Sequence, residues 1–400
     1  ASSSTTRVGV MGVFVLFTTV NALRRPSSPT SRLPAIWILA MLNGELPLLT
    51  LLSRLGVSAF AWWMGAFDNP VGRWGLWLVG LSLLGLPMIW LRTFRASRSL
   101  RHYAGSTRQP ESAAIRLTGW ARQLPRGLEI TGPFQIADDV TVDFYRSSDL
   151  SSGSSYPTLV YLHGGSWTGG DPHAQSRPLI HHLAKDGWVV ATVGYPLSPK
   201  ATFPDHLIGV KEALAWLRTE GAEHGVDPLR MAIAGGSAGG HLAALAALTP
   251  NRPEYQPSFE DVDTSVTACV TLYGIYDFLN RNRTRRDWPL IPNIVMKADP
   301  VLDEAKFRAA SPLDQVGADA PPFLVIHGTH DSLVPPGEAR AFVEALRTNS
   351  RSDVRYLEVE GAQHAFDAVN SLRSRRVAAV AADFLATHVD RRAQNRQLDH

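Results

Sequence analysis

The chain has 400 residues, of which 45% are hydrophobic and 19% charged, with a single cysteine. This composition is typical of a folded chain with room for one large domain and a smaller addition, and it excludes an intramolecular disulfide. The net charge of +3 is unevenly distributed, because residues 1–102 carry ten arginines against two acids while acids outnumber bases in the remaining chain. No basic patch with interleaved aromatic residues occurs, so we expect no nucleic-acid partner.

The N-terminal quarter is strongly apolar and has three stretches long enough to be considered as membrane spans. The third has 18 residues without a charge, and the first lies near the lower limit of ~17 residues for a span. These stretches are Val8–Leu23, Leu51–Phe67 and Trp74–Leu91. The intervening Leu33–Leu49 carries one acid and two prolines, which is typical of a re-entrant or interfacial segment. We predict a helical membrane module of about three spans over residues 1–96; a signal peptide and a buried helical cap are the alternatives.

Arginines give the predicted orientation of this membrane module. With three spans, only Arg7 and Arg73 lie on one side, and eight arginines lie on the side that also holds the rest of the chain. These eight are Arg24, Arg25, Arg32, Arg54, Arg92, Arg95, Arg98 and Arg101. Because positive charge is retained in the cytoplasm, we expect an integral membrane protein with its C-terminal part in the cytoplasm. A polar linker over residues 97–127 precedes that part.

From residue 128 the chain alternates strand-like and helix-like patterns. Val140–Tyr145 alternates apolar and polar residues and predicts an edge strand, whereas the other strand patterns are continuous apolar runs of the kind found in buried parallel strands. These runs are Thr158–His163, Trp188–Gly194, Arg230–Ala234, Val266–Tyr273, Phe323–His327 and Val354–Val359. The predicted helices are His173–Lys185, Asp205–Glu223, Ala238–Leu248, Pro336–Thr348 and Leu372–Val389. The alternation predicts an α/β domain with a mostly parallel sheet, whose site lies at the carboxyl ends of the strands.

A glycine-rich turn in the stretch 230–248 carries the first candidate for chemistry. A short apolar run leads into Gly235-Gly236-Ser237-Ala238-Gly239, and an alanine- and leucine-rich helix follows. A strand, a G-x-S-x-G turn and a helix form the nucleophile elbow, in which the glycines permit tight packing around a strained serine. The turn alone would also fit a phosphate-binding loop. Its context favours Ser237 as the nucleophile.

A second glycine-rich turn, at His163-Gly164-Gly165-Ser166-Trp167, follows the predicted strand Thr158–His163. A turn in this position supplies backbone N–H donors to the oxyanion that develops during acyl transfer, together with the N–H of the residue after the nucleophile. The sequence therefore predicts an oxyanion hole formed by Gly164, Gly165, Ser166 and Ala238. We expect His163 itself to be structural.

Two further strand ends supply an acid and a base. Asp331 follows the strand at Phe323–His327, and His364 follows the strand at Val354–Val359. The order Ser237, Asp331, His364 is the order of a serine hydrolase triad in which histidine takes the serine proton and aspartate orients the histidine. Other candidates are His241, His327, His330, Asp277 and Asp303, which could equally be capping or packing residues.

These motifs together resemble one known family. The stretches HGGSW, YPLSP, GGSAGG, HGTHDSLVP and GAQHAF occur in the order found in α/β-hydrolases of the carboxylesterase or hormone-sensitive-lipase-like group, and the likeness covers residues 128–390. The resemblance implies hydrolysis of hydrophobic acyl esters through an acyl-serine, with no cofactor and no metal. The whole chain resembles actinobacterial membrane-associated esterases, for which the partners are a small-molecule or lipid ester and the bilayer.

The chain departs from the hormone-sensitive-lipase pattern at two positions. Ser166 replaces a third glycine, and Gly236 replaces an acidic residue before the nucleophile. These departures leave formamidase-like and methylesterase-like relatives open, so an amide or formamide hydrolase with the same triad is the alternative activity. A catalytically silent binding protein is a further alternative, although the chain keeps all three triad residues.

Two segments of the C-terminal part have weaker predictions. Residues 277–314 are expected to form a small lid, and four arginines in it are hypothesised to face membrane headgroups. These arginines are Arg281, Arg283, Arg285 and Arg286. Residues 391–400 are predicted to be a polar tail.

Overall fold

The computed structural model describes residues 3–24, 34–63, 65, 68–100 and 125–398. Four helices form the N-terminal part: α1 (Ser3–Leu23), α2 (Pro34–Glu45), α3 (Pro47–Trp63) and α4 (Pro70–Ser99). Prolines stand at the first position of α2, α3 and α4, where the missing N–H of proline costs no hydrogen bond. Most of the predicted linker over 97–127 lies outside the described residues.

The predicted membrane spans are matched only partly by helix length. One described helix, Pro70–Ala96, is long and apolar enough to cross a membrane. Trp37–Glu45 and Pro47–Trp63 pass the same criterion only as a pair, which is bent by 104°, and the described apolar part of α1 is shorter than a span. Arg54 lies inside α3 and is buried, bonded to Ser82 and Asn43. Its inclusion among the loop arginines that set the orientation was therefore wrong.

An eight-stranded sheet forms the centre of residues 125–398. Its order is β1-β2-β4-β3-β5-β6-β7-β8. Only the β1–β2 and β2–β4 pairs are antiparallel, and all others are parallel. The strands are β1 (Leu128–Ala137), β2 (Val140–Ser147), β3 (Tyr156–Leu162), β4 (Val189–Gly194), β5 (Val226–Gly236), β6 (Cys269–Leu272), β7 (Phe323–Gly328) and β8 (Val354–Val359). The predicted parallel α/β sheet is confirmed.

Helices cover both faces of the sheet, because the parallel strands carry apolar side chains on both sides. The helices are α5 (Arg177–Lys185), α6 (Asp205–Thr219), α7 (Ala238–Leu248), α8 (Glu304–Ala309), α9 (Gly337–Asn349) and α10 (Leu372–Leu398). Apolar residues of α6, α7 and α9 pack in one core layer, and those of α5 and α10 pack in the other. All residues of α7 are buried, since its alanines and glycines allow close packing on the strands.

One sequence prediction about the position of an element was wrong. Val140–Tyr145 is not an edge strand, because β1 pairs with β2 on its outer side, and Val140, Val142 and Phe144 are fully buried. The strand β1 escaped the sequence pattern because its residues are mostly exposed and Gly132-Pro133 interrupts them. Residues 391–398 continue α10 as helix, so the predicted tail begins inside this element.

The segment 277–314 packs against the main core. Val295 and Met296 are buried in a six-residue π-helix, and Phe307 of α8 is buried in the same apolar cluster. Arg285 forms a buried ion pair with Glu338 at 2.7 Å. The hypothesis that Arg285 faces lipid headgroups is therefore wrong, because its guanidinium is directed into the protein.

Candidate active site

The register of the central strands brings the glycine-rich turns together. In the parallel pair β3–β5, Tyr161 pairs with Ala234 and Leu162 with Gly235. The turns after these strands therefore begin side by side at the same edge of the sheet. The strands β7 and β8 also end at this edge, since both run parallel to β5, and the loops that follow them begin here.

Ser237 lies on a strained turn between β5 and α7. Its φ of 56° and ψ of −119° are in a region that residues with a side chain seldom adopt. A Cβ on Gly239 would lie 2.1 Å from the carbonyl oxygen of Leu162, and one on Gly235 would lie 2.3 Å from the carbonyl oxygen of Gly239. Glycine is required at both positions because strand and helix approach each other so closely. The strained turn holds Ser237 at the edge of the sheet.

The structure brings Ser237, His364 and Asp331 into one hydrogen-bonded row. The Oγ of Ser237 lies 2.9 Å from Nε2 of His364, and Nδ1 of His364 lies 2.7 Å from Oδ2 of Asp331. All three side chains are buried or nearly so. The distances allow the histidine to accept the serine proton at Nε2 while Nδ1–H donates to the carboxylate.

The carboxylate of Asp331 is held in its charged form. Its Oδ1 accepts the backbone N–H groups of Leu333 and Val334 at 3.0 and 2.8 Å. Burial acts to raise the pKa of Asp331, but the neighbouring imidazoles of His364 and His327 outweigh it and lower the pKa to about 2. Asp331 is therefore ionised at neutral pH, and its carboxylate can stabilise an imidazolium.

The loops that carry Asp331 and His364 are bonded to each other. Oε1 of Gln363 accepts the N–H of Ser332 at 2.6 Å and the N–H of His364 at 3.0 Å. A Cβ on Gly328 would lie 2.3 Å from the carbonyl oxygen of Ala362, so the end of β7 also touches the base loop. Sequence reasoning did not single out Gln363, because its partners lie on another loop. These contacts hold the loop of Asp331 against the loop of His364.

The turn after β3 lies against Ser237, with one correction to the predicted oxyanion hole. The N–H of Gly164 already donates to Oε1 of Gln175 at 2.8 Å, so Gly164 is not a donor to the oxyanion in this arrangement. Among the described residues, no acceptor bonds to the N–H of Gly165, Ser166 or Ala238. Ser166 has a φ of 56°, the left-handed conformation that favours glycine. This explains why the resembled pattern has glycine there.

The other histidine and acid candidates have structural partners. Nδ1 of His241 accepts from the indole N–H of Trp167 at 3.1 Å, and its Nε2 lies 2.7 Å from the carbonyl oxygen of Ala310. Desolvation lowers the pKa of His241 to about 3, which keeps the ring neutral. Asp277 pairs with Arg281 at 3.1 Å. Neither His241 nor Asp277 is directed at Ser237.

A buried carboxylate near Ser237 was not predicted from the sequence. Asp367 accepts hydrogen bonds from the hydroxyls of Ser176 and Tyr273. Burial raises the pKa of Asp367, and these hydroxyls offset part of that effect. The ring of Tyr273 lies 4.7 Å from that of His364, and a Cβ on Gly236 would lie 2.8 Å from the Tyr273 hydroxyl. Tyr273 thus occupies the space next to the position where the resembled pattern has an acid.

The N-terminal helices also contact this site. The indole of Trp37, on α2, lies edge-on to the imidazole of His364, with centroids 5.4 Å apart and an interplanar angle of 85°. At the end of α2, Glu45 pairs with Arg373 of α10 at 2.6 Å. No sequence signal predicted either contact, because Trp37 belongs to an apolar stretch of the kind expected in a membrane.

Comparison with known proteins places the site in a family context. Residues 142–346 match the BD-FAE family. The chain is 37% identical to the protein named "Probable carboxylic ester hydrolase LipM" of Mycobacterium tuberculosis over 383 residues, covering 88% of this chain and 86% of that protein. It is 42% identical to the esterase LipQ of the same organism over 252 residues, covering 63% and 60%.

Solved esterase structures share the architecture. Esterase 2 of Thermogutta terrifontis with bound propionate has 26% identity and a TM-score of 0.55, covering 66% of this chain and 94% of that one. The same esterase phosphonylated by sarin has 25% identity and a TM-score of 0.56, covering 67% and 97%. The alignment with LipM is longer than residues 125–398, so it also includes part of the N-terminal helices.

Proposed function

Because the chain belongs to the BD-FAE family of α/β-hydrolase esterases, we propose that its ester hydrolysis is carried out by Ser237, His364 and Asp331. The chain is a serine carboxylesterase, as its relatives are named carboxylic ester hydrolases and esterases. The assignment of residues rests on the hydrogen-bonded row with distances of 2.9 and 2.7 Å. We extend the proposal to esters with apolar acyl groups, which the apolar N-terminal helices favour.

In the proposed reaction His364 acts first as a base and then as an acid. Nε2 of His364 takes the proton of Ser237 while the serine Oγ attacks the acyl carbon. The tetrahedral intermediate collapses when the same nitrogen returns the proton to the leaving alcohol, and the acyl group remains on Ser237. Water, activated by His364, then releases the acid. Asp331 stabilises the imidazolium in both steps.

The developing oxyanion is stabilised by backbone N–H groups. We assign this role to Gly165, Ser166 and Ala238, since the N–H of Gly164 is bonded to Gln175. Ala238 is the first residue of α7, so the partial positive charge of the helix N-terminus adds to its N–H. A single donor of this kind is worth about 10²–10³ in kcat in other serine hydrolases.

Replacing the nucleophile tests the assignment directly. Ser237→Ala should lower the turnover of p-nitrophenyl esters by roughly 10⁶, to the residual rate left by binding and the oxyanion donors. Ser151→Ala, an exposed serine on the loop before β3, is the matched control and should keep full activity. Turnover retained by Ser237→Ala would refute the proposed nucleophile.

We further propose that the N-terminal helices embed the enzyme in a membrane. Support comes from the exposure of large apolar side chains on α3 and α4, including Trp63 at 78% and Trp77 at 70%. Such exposure in water is costly, whereas tryptophan is favoured where a helix meets the membrane interface. Pro70–Ala96 is the helix of sufficient length and apolarity.

The side of the membrane is proposed from the charges that flank this helix. Arg92 and Arg95 lie at its C-terminal end, before residues 125–398, which form the catalytic part. Arg73 lies at the other end. The positive-inside rule then places the catalytic part in the cytoplasm. Protease digestion of sealed cells should leave residues 125–398 intact, and digestion after permeabilisation should degrade them. Degradation in sealed cells would reverse the orientation, and extraction of the whole chain by alkaline carbonate would refute embedding.

A further inference from the structure

The helix α2 lies against the catalytic base, and we propose that Trp37 binds the alcohol portion of the ester and sets the preference for it. This inference rests on the proposed function, because it takes His364 as the group that protonates the leaving alcohol. The observation behind it is the edge-on contact of the indole with the imidazole at 5.4 Å. Trp37 is only partly buried, whereas Ser237, Asp331 and His364 are buried.

The position of Trp37 relative to the two halves of an ester follows from the direction of the reaction. The leaving oxygen must come within about 3 Å of Nε2 of His364 to receive its proton. The carbonyl oxygen instead faces the N–H groups of Gly165 and Ala238, on the side of β3 and α7. A ring that contacts the imidazole therefore borders the alcohol and not the acyl chain.

The other ring neighbour of His364 leaves Trp37 as the group that a substrate can touch. Tyr273 lies 4.7 Å from the imidazole but is fully buried, and its hydroxyl is bonded to Asp367. Tyr273 thus supports His364 from within the protein. An indole offers a broad apolar face, so the alcohol that fits it best is apolar or aromatic.

The position of α2 is fixed by buried polar contacts with the catalytic part. Oε1 and Oε2 of Glu45 bond to Arg373 and to the hydroxyl of Ser371, each at 2.6 Å. Arg373 also donates to the hydroxyl of Thr93 on α4 at 2.6 Å. All four side chains are buried. Such a group is costly to separate, because either charge would be left unpaired away from water.

These contacts connect helix α2 to the loop of His364 through a short stretch of chain. Ser371 and Arg373 follow His364 by seven and nine residues, at the beginning of α10. On the other side, Trp37 precedes Glu45 by two helical turns, or ~12 Å along the axis. Helix α2 is therefore held at both ends beside the base loop. A mere anchor would need no contact with a catalytic residue.

The test compares acylation and deacylation in the full-length enzyme in detergent. We expect Trp37→Ala to lower kcat/KM about tenfold for butyrate esters of bulky apolar alcohols, with little change for the methyl ester. The rate at which the butyryl-enzyme is hydrolysed should be unchanged, because the alcohol has already left. The ranking of acyl chains on a common alcohol should also stay the same.

Matched variants separate binding from folding. Trp63→Ala removes an exposed tryptophan of α3 and should leave the alcohol preference unchanged. Trp37→Phe keeps an apolar ring and should give an intermediate shift. Labelling with a fluorophosphonate counts the active sites in each preparation, so that misfolded protein does not enter the rates.

Each outcome decides the inference. An unchanged alcohol preference in both Trp37→Ala and Trp37→Phe would overturn it, as would an equal slowing of acylation and deacylation, which would assign Trp37 a positioning role only. A change in the ranking of acyl chains would also overturn it, because it would show that Trp37 contacts the acyl half of the ester. All these outcomes leave Ser237 as the nucleophile, so they overturn only the role of Trp37. Turnover by Ser237→Ala would instead refute the proposed function, and with it the premise of this inference.

Discussion

The N-terminal helices and the catalytic part differ in which side chains they bury and which they expose. Residues 125–398 bury apolar side chains on both faces of an eight-stranded sheet. The helices α1–α4 expose large apolar side chains and bury several polar ones. The exposed ones include Trp62, Trp63, Trp74, Trp77 and Leu84, and the buried ones Asn43, Glu45, Arg54, Ser82 and Thr93. The helices are therefore held together and to the sheet domain by polar contacts, while their outer face fits an apolar medium.

The two parts therefore contribute different kinds of residues to the same site. The catalytic part contributes groups whose positions follow from strand ends and glycine turns. The N-terminal part contributes Trp37 and Glu45, which act through packing and one buried ion pair. We predict that breaking the first set abolishes chemistry, and that breaking the second alters stability and substrate preference.

After replacement of Ser237 itself, the largest expected effect is the loss of the acid. Asp331→Asn keeps the shape of the site but removes the charge that stabilises the imidazolium, so we expect kcat/KM to fall by about 10⁴. Asp303→Asn, at one of the two other candidate acids, should leave kcat/KM nearly unchanged. Ester turnover, with folding checked by circular dichroism, measures both. A decrease of less than tenfold for Asp331→Asn would contradict its role.

Breaking the ion pair between the two parts should have the next largest effect. Glu45→Ala leaves Arg373 buried without its partner, and we expect a loss of about 3–5 kcal/mol in the free energy of unfolding, or roughly 5–15 °C in Tm. Glu304→Ala breaks the exposed pair with Arg308 and should hardly change Tm. Equal Tm values for the two variants would mean that the helices are not fixed to the sheet domain as described.

Acid should weaken the catalytic part through Asp331. Its pKa in the folded state, about 2, lies below the ordinary value of 3.8, so the ionised carboxylate stabilises the fold above that ordinary pKa. This stabilisation is lost as pH falls through the folded pKa, and amounts to roughly 2 kcal/mol. Unfolding free energies measured from pH ~5 to ~2 should fall more steeply for the wild type than for Asp331→Asn. Parallel curves would contradict the shift.

The smallest expected effect concerns the oxyanion turn. Gln175 bonds both the N–H and the carbonyl oxygen of Gly164 and so holds the turn beside Ser237. Gln175→Ala should lower kcat by about tenfold with little change in KM, as expected for the loss of roughly one hydrogen bond. Gln135→Ala, on the exposed edge strand, is the control. A change in KM alone would show that Gln175 positions substrate instead of the turn.

The fold and the row of three side chains follow from sequence because their determinants are local. The glycines around Ser237 and the strand ends before Asp331 and His364 each constrain the backbone within a few residues. The edge strand β1 was not predicted, because its exposed residues lack an apolar pattern. The Gly164 assignment failed for a related reason, since its N–H is bonded to a side chain eleven residues away.

The contacts of the N-terminal helices could not be predicted from sequence in the same way. Trp37 and His364 are 327 residues apart, and an apolar helix has the same pattern whether it contacts lipid or protein. Glu45 was recognised as unusual in an apolar stretch, but its partner Arg373 lies in a helix with many arginines. Asp367 escaped notice likewise, because Ser176 and Tyr273 are distant in the chain.

The most direct test of the catalytic assignment is to trap the acyl-enzyme. Full-length protein is quenched in acid during turnover of a slowly hydrolysed ester, digested, and analysed by mass spectrometry. We predict that the peptide containing Ser237 carries the mass of the acyl group, and that the corresponding Ser237→Ala peptide does not. Acylation of any other residue, or turnover in which no peptide is acylated, would contradict the account.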